Sequence, residues 1–524
     1  MNRRWHPYID HLILVALAVI SYLLFFHQLG NIGMIGPDEP RYASIARTMF
    51  ETGDYITPRL NGEVWFEKPV LMYWGAAIGY KIFGVNEWGA RFPSALAATV
   101  CVFLLYWCGR RLWDRATGFW AAVIMASSVG FFAFSRAASM DLLLTACLTS
   151  ALVFFIAGIH EQGPRRLIWF YLFYVAVGLG ALAKGPIAFF LPAASLVVFL
   201  MIRGRWNDWR SWHPEGIALA FGVSLPWYLA CTWVNGYQFI QIFIINHNLE
   251  RFATTVHGHQ RPFYFYLPVL LLLTFPWTFL MIPTVRRQFS RYEQVMVWWA
   301  IVPFLFFSLA GSKLPGYILP MVPPIALLCA RELMAPIGRA LKVAIFIEAG
   351  TMAFIGVGFG FFGNMINVDP HVGSGLIAVV AFGLAAVLIV IGIWPNSRVL
   401  ASFNAAVMIA LVVLATTIAF PRFDITETMR PWAQALERIV PANQVVFMYR
   451  PTRSMEYGLQ YYRSNNARGV GSAQELAAVV GSNRVLCLAE DKALKEEVAT
   501  LGGLDMEVVH TIGNQSAFWV WATH

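Results

Sequence analysis

Long apolar stretches recur from residue 11 to residue 419, broken only by short polar loops. Each is close to the ~20 residues a helix needs to cross a bilayer. That recurrence leaves few folds open, because in hydrocarbon every backbone N–H and C=O must find its partner within the segment. Spans are expected near residues 11–29, 90–108, 117–134, 139–158, 167–183, 185–202, 215–234, 262–283, 293–310, 316–333, 341–362, 374–394 and 399–419, thirteen in all. Residues 70–84 are apolar but too short to cross, and they read as an interfacial helix. Composition agrees. Of 524 residues 58% are hydrophobic and 13% charged, with a mean hydropathy of +0.59, a balance that a water-soluble domain does not sustain. The first stretch is long enough to span and no small-residue cleavage site follows it, so it is expected to remain as an anchor.

The loops carry the orientation. Arg3 and Arg4 precede the first span, and the alternate loops GRRLWDRAT, HEQGPRR, RGRWNDWRSWH, TVRRQFSRY, APIGRALK and PNSR are all basic. Between them SRAAS, AKGP and GSKLPG hold a single cation each, and GNMINVDPHVG holds none. Basic loops stay in the cytoplasm. The N-terminus is therefore expected inside and, with an odd number of spans, the tail outside. The same distribution accounts for the formal charge of +9 without nucleic acid. Cys101, Cys108, Cys147, Cys231 and Cys329 lie in apolar runs and Cys487 in the tail, with neither disulfide nor metal spacing.

The chain divides into a membrane domain, residues 1–420, with external loops 30–89 and 235–262, and a tail, residues 421–524. In the tail NQVVFMYR, RVLCLAE, MEVVHTI and AFWVWA read as strands, and SMEYGLQYYR and DKALKEEVATLG as helices. The fold class is thus a polytopic α-helical membrane protein of about thirteen transmembrane helices with a small external α/β domain.

With that topology the unusual polar residues fall on one side. Asp38, Glu39, Glu67 and Lys68 lie in the first external loop, in GPDEPRYASIARTMFETGDYITPRLNGEVWFEKPVLMYW. Arg136 and Asp141 open the fourth span, Lys184 sits between the fifth and sixth, and Lys313 opens the tenth. Residues 246–266, NHNLERFATTVHGHQRPFYFY, follow the seventh. Each feature has a plain explanation. Asp38 caps a helix; Asp141 caps or pairs with Arg136; Lys184 and Lys313 snorkel; His247, His257 and His259 are irregularly spaced loop residues; Tyr and Trp form an interface belt. Taken together they point to chemistry. A carboxylate at the start of an apolar span is expensive and faces a cavity or a partner. Cations at one leaflet suit a lipid phosphate, carboxylates suit proton abstraction, substrate orientation or a metal, and aromatic faces suit sugar rings. The expected substrate is a sugar carried on a phosphate lipid. A lipid or glycan transporter is the rival class, but repeat symmetry and polar sites near the midplane are its marks, whereas here the cluster lies at one surface.

The motifs DEPRYA, FEKPVLMYW, SRAAS followed by Asp141, LAKGP, NLERF and SKLPGYILP resemble, in this order, the C-type glycosyltransferases of bacterial inner membranes. The likeness is strongest to the undecaprenyl-phosphate aminoarabinose transferases of lipid A and extends to their protein mannosyltransferase relatives; it covers nearly the whole chain. It implies an inverting single displacement in which an acceptor attacks the anomeric carbon and the lipid phosphate leaves. The acceptor is lipid A, or a protein or another glycan in the alternative, and the tail is periplasmic. The resemblance assigns Asp38, Asp141 and Glu39 as catalytic carboxylates, Asp38 facing the acceptor. It assigns Lys68, Lys184, Arg251 and Lys313 to the donor phosphate, with Tyr317 and Tyr42 lining the sugar or phosphate site. It further implies a divalent metal, zinc or magnesium, near Glu67 and His259, with His257 as the alternative ligand. One carboxylate and one imidazole leave a zinc shell incomplete. The chain departs from the family in reading KPVL, with Val70, where KPPL is usual.

Overall fold

Every one of the thirteen apolar stretches is helical in the computed structural model, which describes residues 7–250, 261–362, 374–480, 484–490 and 504–522. Among these residues ten helices, from Tyr8–Phe26 to Ser397–Glu427, are long and apolar enough to cross a membrane. Two further stretches are helix pairs bent at a short break, Arg115–Ala126 with Val129–Ser135 (61°) and Phe263–Thr274 with Trp277–Thr284 (108°). The remaining one, Ile187–Arg203, is apolar but short. Residues 70–84 form the separate helix Leu71–Phe83.

The bends have local causes. At the first, the Ser127 and Ser128 hydroxyls donate to the carbonyls of Val123 and Ile124 one turn back, both at 2.6 Å, competing with the helical ladder. At the second, Pro276 has no N–H to continue the helix. The two breaks satisfy each other: Val129 N donates to Phe275 O at 3.0 Å, and Trp277 Nε1 donates to Ser127 Oγ at 3.0 Å. Irregular backbone survives at this depth because protein, not lipid, surrounds it. Close helix crossings rest on paired glycines. A Cβ on Gly109 would lie 2.7 Å from the Gly118 Cα, so neither position tolerates a side chain without separating the two helices.

Polar contacts divide the bundle into two ends. At one, Asp10 pairs with Arg110 and Arg115, Arg111 with Glu161, Arg291 with Asp208, and Arg287 with Glu293 and Glu332. These are the strongly basic loops. At the other end lie the first loop, Asp141, Lys184, Lys313 and the tail. Outside both, Asn404 donates to Glu348 at 2.8 Å and ties two spans together in the bundle interior.

The last span runs on through Pro421 to Glu427, beyond the boundary expected from composition. A π-turn at Ala415–Ala419 precedes the proline and loosens the ladder that its ring would otherwise obstruct. The tail carries a five-stranded sheet in the order β4-β3-β5-β7-β6, from β3 (Val446–Tyr449), β4 (Ala467–Val470), β5 (Val485–Glu490), β6 (Leu504–Ile512) and β7 (Gln515–Ala522). β3 pairs in parallel with β4 and β5, and β5, β7 and β6 pair antiparallel. Alternation along β5 sends Leu486 and Leu488 to one face, with helices Arg430–Glu437 and Arg453–Tyr462, and Cys487 and Ala489 to the other, with helix Ala473–Val480. The expected helix DKALKEEVATLG lies outside the described residues. None of the six cysteines forms a disulfide.

The first loop is held by one buried arginine. Arg91, near the start of helix Glu87–Leu112, donates to both oxygens of Glu39 at 2.7 and 2.8 Å. It also donates to the carbonyls of Leu29, Ile32 and Gly33 at 2.7–2.8 Å. Further along, β1 (Arg59–Leu60) and β2 (Glu63–Val64) form a hairpin around Asn61-Gly62, both at positive φ as a two-residue turn of this kind requires. Replacing Arg91 by Met leaves a buried carboxylate without its cation. We expect R91M to lose about 3–5 kcal/mol of stability, read as a large fall in the melting temperature of the detergent-solubilised protein. A fall no larger than that of an exposed arginine variant would show that the loop is held by something else.

Candidate functional site

Asp38 opens the helix Asp38–Thr52, and Arg41 follows one turn later on the same face. The two side chains pair at 2.5 Å, and Arg41 also faces Glu67 at 3.5 Å. The Arg41 guanidinium is enclosed by the rings of Tyr42, Trp65 and Tyr457, at 5.3, 5.3 and 5.8 Å. Burial opposes its charge, but Tyr42, Glu67 and Asp38 outweigh burial and hold it above the ordinary arginine range. Asp38 itself is 57% exposed, so its carboxylate is open to an arriving molecule while its cation is not.

Asp141 stands at the start of helix Met140–His160, where the helix dipole favours a negative charge. The N-cap Ser139 hydroxyl accepts from the Asp141 N–H at 3.2 Å. The Asp141 carboxylate pairs with Lys184, the last residue of helix Arg165–Lys184, and the Lys184 ammonium sits 4.3 Å from the centre of the Tyr317 ring. Gly316 lies against the same carboxylate, and a methyl group there would collide with Asp141. Three helix ends far apart in sequence thus meet at one point.

Tyr42 lies against Arg41, within electrostatic reach of both carboxylates. Its ring is buried 6.3 Å from that of Tyr73. Burial, then the charge of Asp38 and more weakly that of Asp141, push its hydroxyl pKa up, with Arg41 acting against them. The hydroxyl therefore remains a protonated donor that feels both carboxylates. The Tyr73 hydroxyl, Trp65 Nε1 and Arg41 Nε are buried and have no hydrogen-bond partner among the described residues. Unpaired donors on and beside one arginine are expensive unless a polar ligand takes them up.

Other expected residues have different places. Lys68 is half-buried beside Glu67. Lys313 is buried and donates to Ala310 O at 2.5 Å, which uses one of its three N–H groups. Glu39 is a correction. Arg91 holds both of its oxygens, and the backbone N–H groups of Ile35 and Ala138 donate to them at 2.8 and 2.9 Å. A buried carboxylate with every acceptor position engaged holds the loop in shape; it is not available to a substrate. Arg136 does not pair with Asp141 but donates to Gln28 O at 2.8 Å. Arg251, His257 and His259 lie outside the described residues, as does the side chain of His247. Glu67 is turned to Arg41, and among the described residues no three His, Cys, Asp or Glu side chains converge as a metal shell. Glu67, the expected carboxylate ligand, is thus engaged by Arg41.

Arg41, Trp65, Tyr73 and Tyr457 are not among the residues expected from the sequence. Arg41 carried a signal, the Asp-x-x-Arg spacing that places two opposite charges on one helix face. Tyr457 carried none, since nothing in a tail sequence marks it as a neighbour of the first loop.

Comparison with known proteins bears on this arrangement. Residues 11–241 match the dolichyl-phosphate-mannose-protein mannosyltransferase family. The chain is 29% identical to the undecaprenyl phosphate-alpha-4-amino-4-deoxy-L-arabinose arabinosyl transferase of Edwardsiella ictaluri, over 85% of this chain and 87% of that one. It is 31% identical to the transferase of the same name from Yersinia enterocolitica, over 68% of this chain and 67% of that one. In fold it is similar to the crystal structure of ArnT from Cupriavidus metallidurans bound to undecaprenyl phosphate, with a TM-score of 0.79, 22% identity, and coverage of 96% and 97% of the two chains. An ordered set of motifs, a matching fold and this level of identity together place the chain in the family of the undecaprenyl phosphate-4-amino-4-deoxy-L-arabinose arabinosyl transferases.

Proposed function

We propose that this protein is an inverting glycosyltransferase of the bacterial inner membrane that moves 4-amino-4-deoxy-L-arabinose from undecaprenyl phosphate to lipid A. The observation that carries the reading is the pairing of Asp38 with Arg41 and of Asp141 with Lys184 at one end of the bundle. Family membership supplies the donor and acceptor. The basic loops gathered at the opposite end support a cytoplasmic N-terminus and a periplasmic active site and tail.

In this reading the donor phosphate enters among Lys184, Lys313, Lys68 and Arg41, and the Tyr317 ring packs beside the lysine. An acceptor oxygen attacks the anomeric carbon as the bond from that carbon to the phosphate oxygen breaks, so configuration inverts. The phosphate departs with the bonding electron pair, and the cations stabilise the charge it gains. A phosphate acceptor on lipid A is already ionised and needs no base. Asp38, open to solvent, then orients the acceptor, and Asp141 orients the sugar and its amine. With a hydroxyl acceptor the displaced proton passes to Asp38.

Mass spectrometry of lipid A from cells with and without the protein tests the reading. Addition of one or more aminopentose units that depends on the protein supports it; an unchanged spectrum moves the acceptor to protein or another glycan. Within that assay D38N, which removes the group that orients the acceptor, is expected to lower transfer by about 10²-fold with unchanged melting temperature, and K184M by about 10²–10³-fold with some loss of stability, because Asp141 loses its cation. E39Q should behave differently, losing stability together with activity, because its contacts are all within the protein. If E39Q proved as stable as the parent and selectively inactive, the structural role given to Glu39 would be wrong. Thiol labelling in whole cells should place cysteines introduced beside Asp38 and Lys313 on the outer side and one beside Arg110 on the inner side. Labelling of the first two from opposite sides would sink the proposed site.

A further inference from the structure

The geometry points to Tyr457 as a positioning residue, supplied by the C-terminal unit, that fixes Arg41 and through it Asp38 for the transfer; this rests on the function proposed above. By sequence Tyr457 belongs to the tail, on helix Arg453–Tyr462. By packing it belongs to the membrane domain, because its ring joins the apolar cluster that fills the helical bundle. Met455 and Leu459 of the same helix pack instead into the core of the tail. Helical periodicity makes the division. Tyr457, Gln460 and Tyr461, three and four residues apart, share one face, while Met455 and Leu459 share another.

That first face is tied to the first loop beyond the ring itself. Asn61 Nδ2 donates to Gln460 at 2.9 Å, and Arg47 donates to the Tyr461 carbonyl at 3.1 Å. The Tyr457 ring is therefore carried on a clamped helix rather than on a free surface. It stands 5.8 Å from the Arg41 guanidinium and closes the enclosure that Tyr42 and Trp65 begin. Arg41, paired with Asp38 at 2.5 Å, bonded to the Tyr42 hydroxyl and faced by Glu67 at 3.5 Å, has two carboxylates to choose between. Its long side chain has the rotamer freedom to move between them. An aromatic wall on the remaining side attracts the cation and blocks the swing. Asp38, more than half exposed, has its position set by Arg41. The tail thus completes the site instead of merely capping it.

The test uses the purified full-length protein in detergent with the undecaprenyl-phosphate-linked donor and lipid A. Y457F keeps the aromatic wall, Y457L keeps the apolar bulk without it, and Q460A loosens the same interface without touching Arg41. We expect Y457F to stay within about twofold of the parent and Y457L to lose about tenfold in kcat with little change in KM. Q460A should lower the melting temperature while keeping kcat. Parent-like kcat in Y457L, an equal loss in Y457F, or an equal loss in Q460A would each overturn the assignment. A second arm needs no activity. The melting temperatures of R41M, Y457L and the double variant should be non-additive, and additivity would remove the contact on which the inference stands. A parent that transfers no sugar would overturn the proposed function, and the melting cycle would still decide the contact.

Discussion

One buried ion pair organises the end of the molecule where the chemistry gathers. Arg91 rises from the start of a membrane helix and engages Glu39 and three loop carbonyls at once. Taking two charges out of water is costly, and a loop of this kind carries unpaired carbonyls besides. The arginine settles both, because its five N–H groups form a planar fork matched to a carboxylate and its neighbours. Glu39 in turn accepts from Ala138 N, three residues before Asp141. The first loop and the start of the fourth span are thereby set relative to each other before any side chain of the site is considered. Asp38 lies next to Glu39, so one interaction fixes the spacing of both candidate carboxylates.

The tail reinforces this frame. Asp424 accepts from Gly33 N at 2.6 Å and pairs with Arg430 at 2.6 Å, and Arg430 donates to the carbonyls of Gly30 and Asn31. The Tyr462 hydroxyl donates to Glu87 at 2.7 Å and accepts from Met34 N at 2.9 Å. Gly33 has to be glycine here, since a Cβ would stand 2.6–2.9 Å from Thr428, Tyr462 and Asp424. Loop, first membrane helices and tail share one polar junction in which Asp424, Arg430, Tyr462 and Glu87 are all engaged. That junction is what brings helix Arg453–Tyr462 down onto helix Asp38–Thr52.

Much of this architecture was legible in the sequence, because bilayer crossing imposes a length and a composition that no other constraint imitates. The apolar stretches became helices near their expected limits, the last running on to Glu427 and two being bent pairs. What periodicity could not show was where a helix bends. Ser127, Ser128 and Pro276 look ordinary in an apolar run, and their effect depends on a second break opposite. The short strand Ala467–Val470 and the helix Ala473–Val480 also escaped, being too brief to show a period. The candidate site residues lie in short motifs of the sequence, but their contacts were not equally readable there. Asp38 and Glu39 are neighbours of the same charge, and only the structure shows that one faces outward and the other is locked to Arg91. Lys184 was read as a phosphate ligand; its contact with Asp141, forty-three residues away, is a tertiary fact.

The pairing of each candidate carboxylate with a cation bears on how a charged substrate would be received. Asp38–Arg41 and Asp141–Lys184 are each close to neutral as pairs, so the resting site does not present a bare cationic patch. A lipid phosphate that enters must compete with a carboxylate for the same cation. At Asp141–Lys184 competition of that kind would weaken the carboxylate's own tie, whereas Arg41, enclosed by its three rings, keeps Asp38 in place. The aromatic rings make the exchange possible without loss of position. Tyr317 beside Lys184, and Tyr42, Trp65 and Tyr457 around Arg41, attract a cation whichever anion it faces.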